Sequence, residues 1–483
     1  SLLPATSGCL LLALIAVPRV GLAQTGAGTD IITGTVTSEQ GLPIADALVE
    51  VVSLETQITR SARSNARGRY TVVFPDGGGQ YRLTVRAIGA APMQRTGTRQ
   101  ADEDRLVVNV RMSTTPLVLD EIRVQGRRGP GRQDQAPTPG STERVLSSDQ
   151  AQRLPLDASD LAALATLAPG VVAIPGNDST PGGFSVAGQR PTANNVTLDG
   201  LSFGGATVPQ DAIRNTRVIT SNYDVSRGQF SGGLVSTTTR SGTNNLQGSA
   251  NYGLRDRDLT LESGDDAFAS GFNQQQLSFG LGGPIRRDKL FIFGSGQGRF
   301  RADDLQSLLS ATGPTLDRFG IAPDSANRLV SVLGNLGVPV DRSIAERSRD
   351  ATDLSGLLRI DYAVSQAHTV TARADYRRNV QQPSRVGPLS VPAVASRSSN
   401  RGGGVMLTAN SRFGTAVINE MRAYRSGSSA STPLSDAFPS GRVQIVSSLD
   451  DQRGANSVSF GGIAGLPQQS ESRSFEVSNE LSW

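Results

Sequence analysis

From Leu246 onward, apolar and polar residues alternate one by one in stretches of about ten residues, the period-two pattern of half-buried strands. Leu246, Gly248, Ala250, Tyr252 and Leu254 alternate with Gln247, Ser249, Asn251 and Arg255. Leu354, Leu358, Ile360, Tyr362 and Val364 alternate with Ser355, Arg359, Asp361 and Ser365. Val370, Ala372, Ala374 and Tyr376 share one face; Thr369, Thr371, Arg373, Asp375 and Arg377 share the other. Phe475, Val477, Leu481 and Trp483 repeat the pattern against Ser474, Glu476, Ser478, Glu480 and Ser482. Eight strands are expected, near 246–255, 273–283, 289–301, 354–364, 369–378, 404–413, 415–426 and 473–483. Their connections alternate: short at 284–288, 365–368 and Gly414, and long elsewhere, including 302–353 and 427–472. Short turns at one end and long loops at the other are the pattern of a transmembrane β-barrel. A soluble sandwich also alternates faces, but structureless connections beyond about 15 residues are uncommon in one.

The first half of the chain reads differently. Short strands at 32–36, 47–52, 69–73, 81–85 and 106–110 are separated by Gly41, Gly68 and Gly77–Gly79, which predicts a β-sandwich over 31–113. Residues 125–141 are a Gly/Pro/Arg/Gln linker without periodicity, and 142–243 mix short helical and strand signals with many glycines. Near the start, Cys9–Val17 is an apolar run too short to span a bilayer as a helix. Gly21-Leu22-Ala23 follows, so 1–23 is expected to be an export signal with Gln24 as the first mature residue.

Composition narrows the chemistry. The 483 residues carry 47 basic and 43 acidic side chains, a net charge of +4 with no basic cluster, so nucleic acid is not an expected partner. One cysteine and one histidine, His368, exclude disulfide frameworks, CxxC zinc sites and multi-histidine metal centres. Gly294-Ser295-Gly296-Gln297-Gly298 has the look of a phosphate loop but lies within a strand pattern, where it reads as small side chains on a crowded inner barrel face. Gly183–Ala187 loosely matches a nucleophile elbow, with only the distant His368 as a base. Acid pairs at 265–266, 303–304 and 450–451 read as solvated loop charges, with calcium binding as the alternative. No catalytic residue, metal site or cofactor is expected, and the chain reads as non-enzymatic.

Longer motifs add a resemblance. Phe184–Pro191 followed by Asn194–Gly200, with Gly188, Arg190, Asp199 and Gly200, resembles the plug-domain core of TonB-dependent outer-membrane receptors. Ser221–Gly233, ending in Gly232 and Gly233, resembles a second plug signature, and Val235–Asn244 the plug's closing strand and exit. The stretch 282–293, with Gly282, Gly283, Pro284, Asp288 and Lys289, is similar to a barrel motif of the Oar-like subgroup; Asn419–Arg422 looks like a later one. Residues 31–113 are similar to the carboxypeptidase-regulatory-like sandwich, which has a carbohydrate-binding-like fold.

The resemblance implies a mainly β chain: an N-terminal sandwich, an α+β plug at 142–243, and at 246–483 the first eight strands of a barrel of about 22. On that basis the chain is expected to be the N-terminal part of a longer receptor. Leu119, Asp120, Glu121, Ile122, Arg123 and Val124, within the segment 118–141, resemble a TonB box; the alternative is a last strand of the sandwich. Arg190 is a candidate for a plug–barrel ion pair, with a solvated loop arginine as the alternative. The partners implied are the TonB–ExbB–ExbD complex, outer-membrane lipid and a large solute, whether carbohydrate, peptide, iron chelate or protein. The rival reading is a non-transporting outer-membrane adhesin or carbohydrate binder.

Overall fold

The computed structural model describes residues 29–74, 79–98, 105–113, 142–154, 157–174, 183–204, 207–221, 232–259, 271–305, 307–311, 316–317, 319–340, 348–392, 396–433, 439–446 and 455–482. The export signal, the TonB-box-like segment, most of the second plug signature and the acid pairs at 265–266 and 450–451 lie outside these residues.

The N-terminal sandwich has two sheets. One joins β1 (Asp30–Ser38), β4 (Arg69–Phe74), β7 (Arg105–Val107) and β8 (Val110–Met112). The other has the order β3-β2-β5-β6, with β2 (Leu48–Ser53), β3 (Thr59–Arg63), β5 (Gln80–Arg86) and β6 (Met93–Thr98). Their inner faces meet in a core of Ile32, Val36, Val49, Val51, Tyr70, Val72, Leu83 and Val85. The sequence pattern missed β3 and β6. Both are flank strands of their sheet, with sequences TRSAR and MQRTGT that carry little apolar signal.

The plug is built on a five-stranded sheet of order β13-β12-β15-β14-β9. Its strands are β9 (Thr142–Ser147), β12 (Asn195–Leu198), β13 (Leu201–Ser202), β14 (Ile213–Ser221) and β15 (Leu234–Thr239). A separate pair joins β10 (Val171–Ile174) to β11 (Gly183–Val186). Two one-turn helices, α1 (Ser148–Gln152) and α2 (Leu161–Ala165), pack against the sheet. Ser147 and Gln150 cap α1 reciprocally, and Asp160 caps α2 by accepting from the N–H groups of Ala162 and Ala163. Leu146, Leu161, Leu164, Val186, Leu198, Val218 and Val235 fill the plug's own core.

The remaining strands form one antiparallel eight-stranded sheet in chain order. They are β16 (Gln247–Asp256), β17 (Phe272–Arg286), β18 (Leu290–Asp304), β19 (Ser348–Ala363), β20 (His368–Ser384), β22 (Ser396–Phe413), β23 (Val417–Thr432) and β26 (Gln468–Ser482). They match the eight expected strands and are mostly longer. The sheet is open, with β16 and β26 at its edges.

Burial in this sheet is inside out. Arg373 is 2% exposed, Arg359 5% and Asp361 8%, whereas Leu281 is 56% and Phe475 72% exposed. A sheet in water hides its apolar face; one that hides arginine and presents leucine has hydrocarbon for a solvent on that side. Exposed aromatic rings lie beside the short turns at Tyr362 and Phe413, and further along the strands at Tyr252, Phe300, Tyr376 and Phe475, as at the two interfaces of a bilayer.

One expectation is corrected. Gly294, Gly296 and Gly298 face lipid, not the lumen: they stand opposite Leu281, Phe279 and Leu277, and a Cβ on Gly296 would lie 2.7 Å from the Phe279 ring. They make room for outward-facing side chains, while Ser295 and Gln297 point inward and are buried.

The inverted burial gives a direct test. Leu358→Arg places a charge on the lipid face and should destabilise the protein in phospholipid vesicles by roughly 2–4 kcal/mol, the cost near the bilayer midplane. Leu358→Ala should cost less. Equal urea midpoints for the two variants would remove the lipid from this face.

The long connections are not structureless. They contribute α3 (Pro323–Asn335), β21 (Ser390–Pro392), β24 (Ser440–Val446) and β25 (Ala455–Gly461), the last three forming a sheet of order β21-β25-β24. Leu308, Leu316, Ile321, Ala326, Leu333, Val391 and Val458 give this cap its own apolar core at the long-loop end.

Candidate functional site at the plug–barrel interface

The plug turn Leu198-Asp199-Gly200 is held by the barrel wall. Asp199 has φ +52°, a left-handed conformation that Asp tolerates, and Gly200 follows at φ +89°. The Asp199 carboxylate accepts from the N–H and hydroxyl of Thr239 on β15, both at 2.8 Å, which ties the turn to the plug sheet. From β20, Arg373 Nη1 donates to the same carboxylate at 2.6 Å and to the Leu198 carbonyl at 3.1 Å. From β19, Arg359 Nη1 donates to the carbonyl and hydroxyl of Thr239, both at 3.1 Å. From β23, the Arg422 guanidinium lies against Gly200, where a Cβ would come within 3.1 Å of it. Gly200 is therefore required twice, by its backbone angle and by the arginine over it.

Each arginine is braced within the wall. Arg359 pairs with Asp361 at 2.9 Å, Arg422 with Glu420 at 2.6 Å, and Arg373 approaches Asp375 at 3.6 Å while stacking over Tyr424. Such partners hold the guanidinium forks in one orientation. A cavity of about 40 Å3, lined in part by Asp199, Arg359, Arg373, Asn410 and Glu420, lies beside the turn, with room for a few water molecules.

Other contacts repeat the polar theme. Asp211 accepts from Ser249 at 2.6 Å and Asn251 at 3.1 Å. Gln210 reaches Ser278 and Gln297, Arg299 pairs with Asp157 at 2.7 Å, and Ser202 N–H donates to Glu476. Apolar contact between wall and plug core involves Phe293 and Leu357.

The other motif residues sit as follows. Gly188 lies in an exposed turn at φ +80°. Gly232 and Gly233 pack against Asn194 and Val186; Asn194 accepts from Gly233 N–H and donates to the Phe184 carbonyl, a bridge that the motif reading did not single out. Arg190 is exposed, and the ion pair expected of it is made instead by Asp199 and Arg373. Gly282 and Gly283 lie where the plug's exit passes the wall: Gly242 Cα is 3.5 Å from a Cβ built on Gly282. Pro284 follows in β17, and Asp288 and Lys289 form the turn to β18, with Asp288 at φ +58°.

The motifs weighed as catalytic are structural. Ser185 lies in β11 and donates to the Gln189 carbonyl, while the His368 ring packs on Phe413 beside a short turn. Among the described residues, no three His, Cys, Asp or Glu side chains are grouped to hold a metal.

Burial alone pushes the Asp199 carboxyl up, but Arg373, Arg359 and the Thr239 N–H outweigh it and hold it below its ordinary value. The folded value being the lower one, its stabilising contribution is full above the unfolded value of about 3.9 and is lost as pH falls through the folded value. Amide exchange at Thr239 should therefore be unchanged between pH 7 and 5 after correction for intrinsic rates, and speed up only in stronger acid. Loosening of this contact already at pH 5 would contradict the assignment.

Comparison with known proteins adds to this geometry. Residues 31–113 match the carboxypeptidase regulatory-like domain and 238–327 the outer membrane beta barrel domain. Over 294 residues the chain is 29% identical to the TonB-dependent transporter Oar of Myxococcus xanthus, covering 55% of this chain and 26% of that protein. Within that stretch the chain is therefore similar to a TonB-dependent transporter. The outer membrane transporter YddB from Escherichia coli shares the fold, with a TM-score of 0.50 at 13% identity, over 72% of this chain and 47% of that one. The receptor-like chain thus spans about a quarter of the length of the Oar relative and about half that of YddB.

Proposed function

We propose that the chain belongs to a receptor that moves a large solute across the outer membrane, with the plug as a removable closure driven by TonB. The observation that carries this is the plug itself: a domain with its own apolar core, held to the wall mainly by hydrogen bonds and ion pairs. A buried ion pair adds less net stability than well-packed apolar contact of the same size, so such a seat holds a shape yet releases under modest work. The similarity to a TonB-dependent transporter supports the energy source. In this reading the short turns and the sandwich face the periplasm, and the cap built on α3 and the β21-β25-β24 sheet meets the solute from outside.

The coupling handle is assigned to Leu119–Val124, an acidic-apolar run suited to adding as a strand to a partner's sheet edge. The test is photo-cross-linking from position 120 of the intact receptor in living cells. A TonB adduct formed in energised cells supports the reading, and its absence there sinks it.

A further inference from the structure

The sandwich is docked on the short-turn end of the barrel sheet. Its flank strand β3 leaves N–H groups unpaired on its outer side, and the barrel turns supply acceptors for them. Thr59 N–H donates to Asp288 at 3.1 Å on the first short turn, and Ser61 N–H to Gln366 at 3.0 Å on the second. Asn65 and Thr71 both bond to Thr415 on the third. All three short turns of the sheet are thereby engaged by one domain.

The contact reaches further inward. Ile31 and Val73 bury Ile418 of β23, and Phe291 of β18 joins the sandwich core. Arg60 is 7% exposed and donates to Thr369 at 3.0 Å. Asn244, at the plug's exit, is bonded to Thr56 and Gln57 on one side and Asp288 on the other. Thr29 donates to Glu420, the partner of the arginine lying on Gly200. The sandwich therefore touches the rim, the plug's exit and the brace of the plug turn together.

We propose that residues 29–113 are a second gate, seated across the short-turn end beneath the plug, which must undock before the plug can clear a path. The inference rests on the transport reading above. Its geometry suits a reversible closure: much of the contact consists of hydrogen bonds to side chains on exposed turns, which water can replace.

The probe is biotin maleimide, applied to cells making the intact receptor with Ile418→Cys, with TonB active or deleted. Ile418 is 4% exposed beneath the sandwich, so labelling there reports undocking. Thr369→Cys, under Arg60, is the second reporter in case the first folds poorly. A several-fold faster labelling with TonB active is expected. Gln366→Ala, which removes one docking acceptor, should raise the rate without TonB by roughly 2- to 10-fold, the effect of one ordinary hydrogen bond. Equal rates with and without TonB at both reporters would overturn the gate. Cross-linking from position 120 in the same cells separates the failures. TonB adducts with unchanged labelling sink the gate alone; no adducts and unchanged labelling sink the transport reading as well.

Discussion

Arg373→Ala should loosen the plug from the barrel wall by about 3 kcal/mol while leaving both sheets formed. Removing one partner of a buried ion pair typically costs about 3–5 kcal/mol, because the other charge is left behind in a poor solvent. The lower end applies, since Asp199 keeps both bonds from Thr239 and is not fully enclosed. The alanine also strips a bond from the Leu198 carbonyl and a cation from the Tyr424 ring. Amide exchange over 198–202 and 237–239 should rise, while that of β19 and β20 stays near the parent's. Arg377→Ala is the control: its guanidinium donates to the Gly204 carbonyl in a solvent-exposed contact and should cost less than about 1 kcal/mol. If the two variants behave alike, the plug seat is not at Asp199. A double variant with Asp199→Asn should lose less than the sum of the two single losses, because the residues share one interaction.

The barrel was legible because hydrocarbon forces every strand to alternate, and Arg359 and Arg373 fell on the polar face from pattern alone. Their partners were not legible. Asp199 meets Arg373 across 174 residues of chain, and Thr239 meets Arg359 across 120, distances over which periodicity carries no information. Arg190 was the natural choice from the plug motif, yet the arginines of the seat come from the wall and the carboxylate from the plug. Glycine is silent in an alternating pattern, which is why Gly294, Gly296 and Gly298 were placed on the inner face; the deciding signal was Phe279 in the neighbouring strand. The cap was hidden for a different reason. Ala326, Leu329, Val330 and Leu333 do recur at helical spacing in α3, but β21 has three residues and β25, ANSVSFG, carries little apolar signal. The docking of the sandwich rests on backbone N–H groups of a polar flank strand, and no side-chain pattern announces those.

Ile122→Pro and Val124→Pro, combined in one chain, should remove most of the TonB adduct formed from position 120. A strand added to a partner's sheet edge is held through its backbone, so most side-chain changes leave the ladder intact. Proline lacks the N–H and fixes φ, so it removes a donor where alanine does not. Residues two apart present their N–H groups to the same edge, so the pair at 122 and 124 tests one edge and Arg123→Pro tests the other. Each proline removes one ladder bond worth about 1 kcal/mol, roughly 5-fold in pairing, and the two together weaken it roughly 30-fold. Ile122→Ala and Val124→Ala should keep most of the adduct. The competing assignment makes this segment a last strand of the sandwich, whose described strands lie between Asp30 and Met112. In that case proline would expose the amides of β1 and β4 to exchange, and the adduct would fall only as the domain unfolds. Unchanged exchange in β1 and β4 together with a lost adduct assigns the segment to TonB; an adduct that survives all three prolines removes 119–124 as the coupling handle.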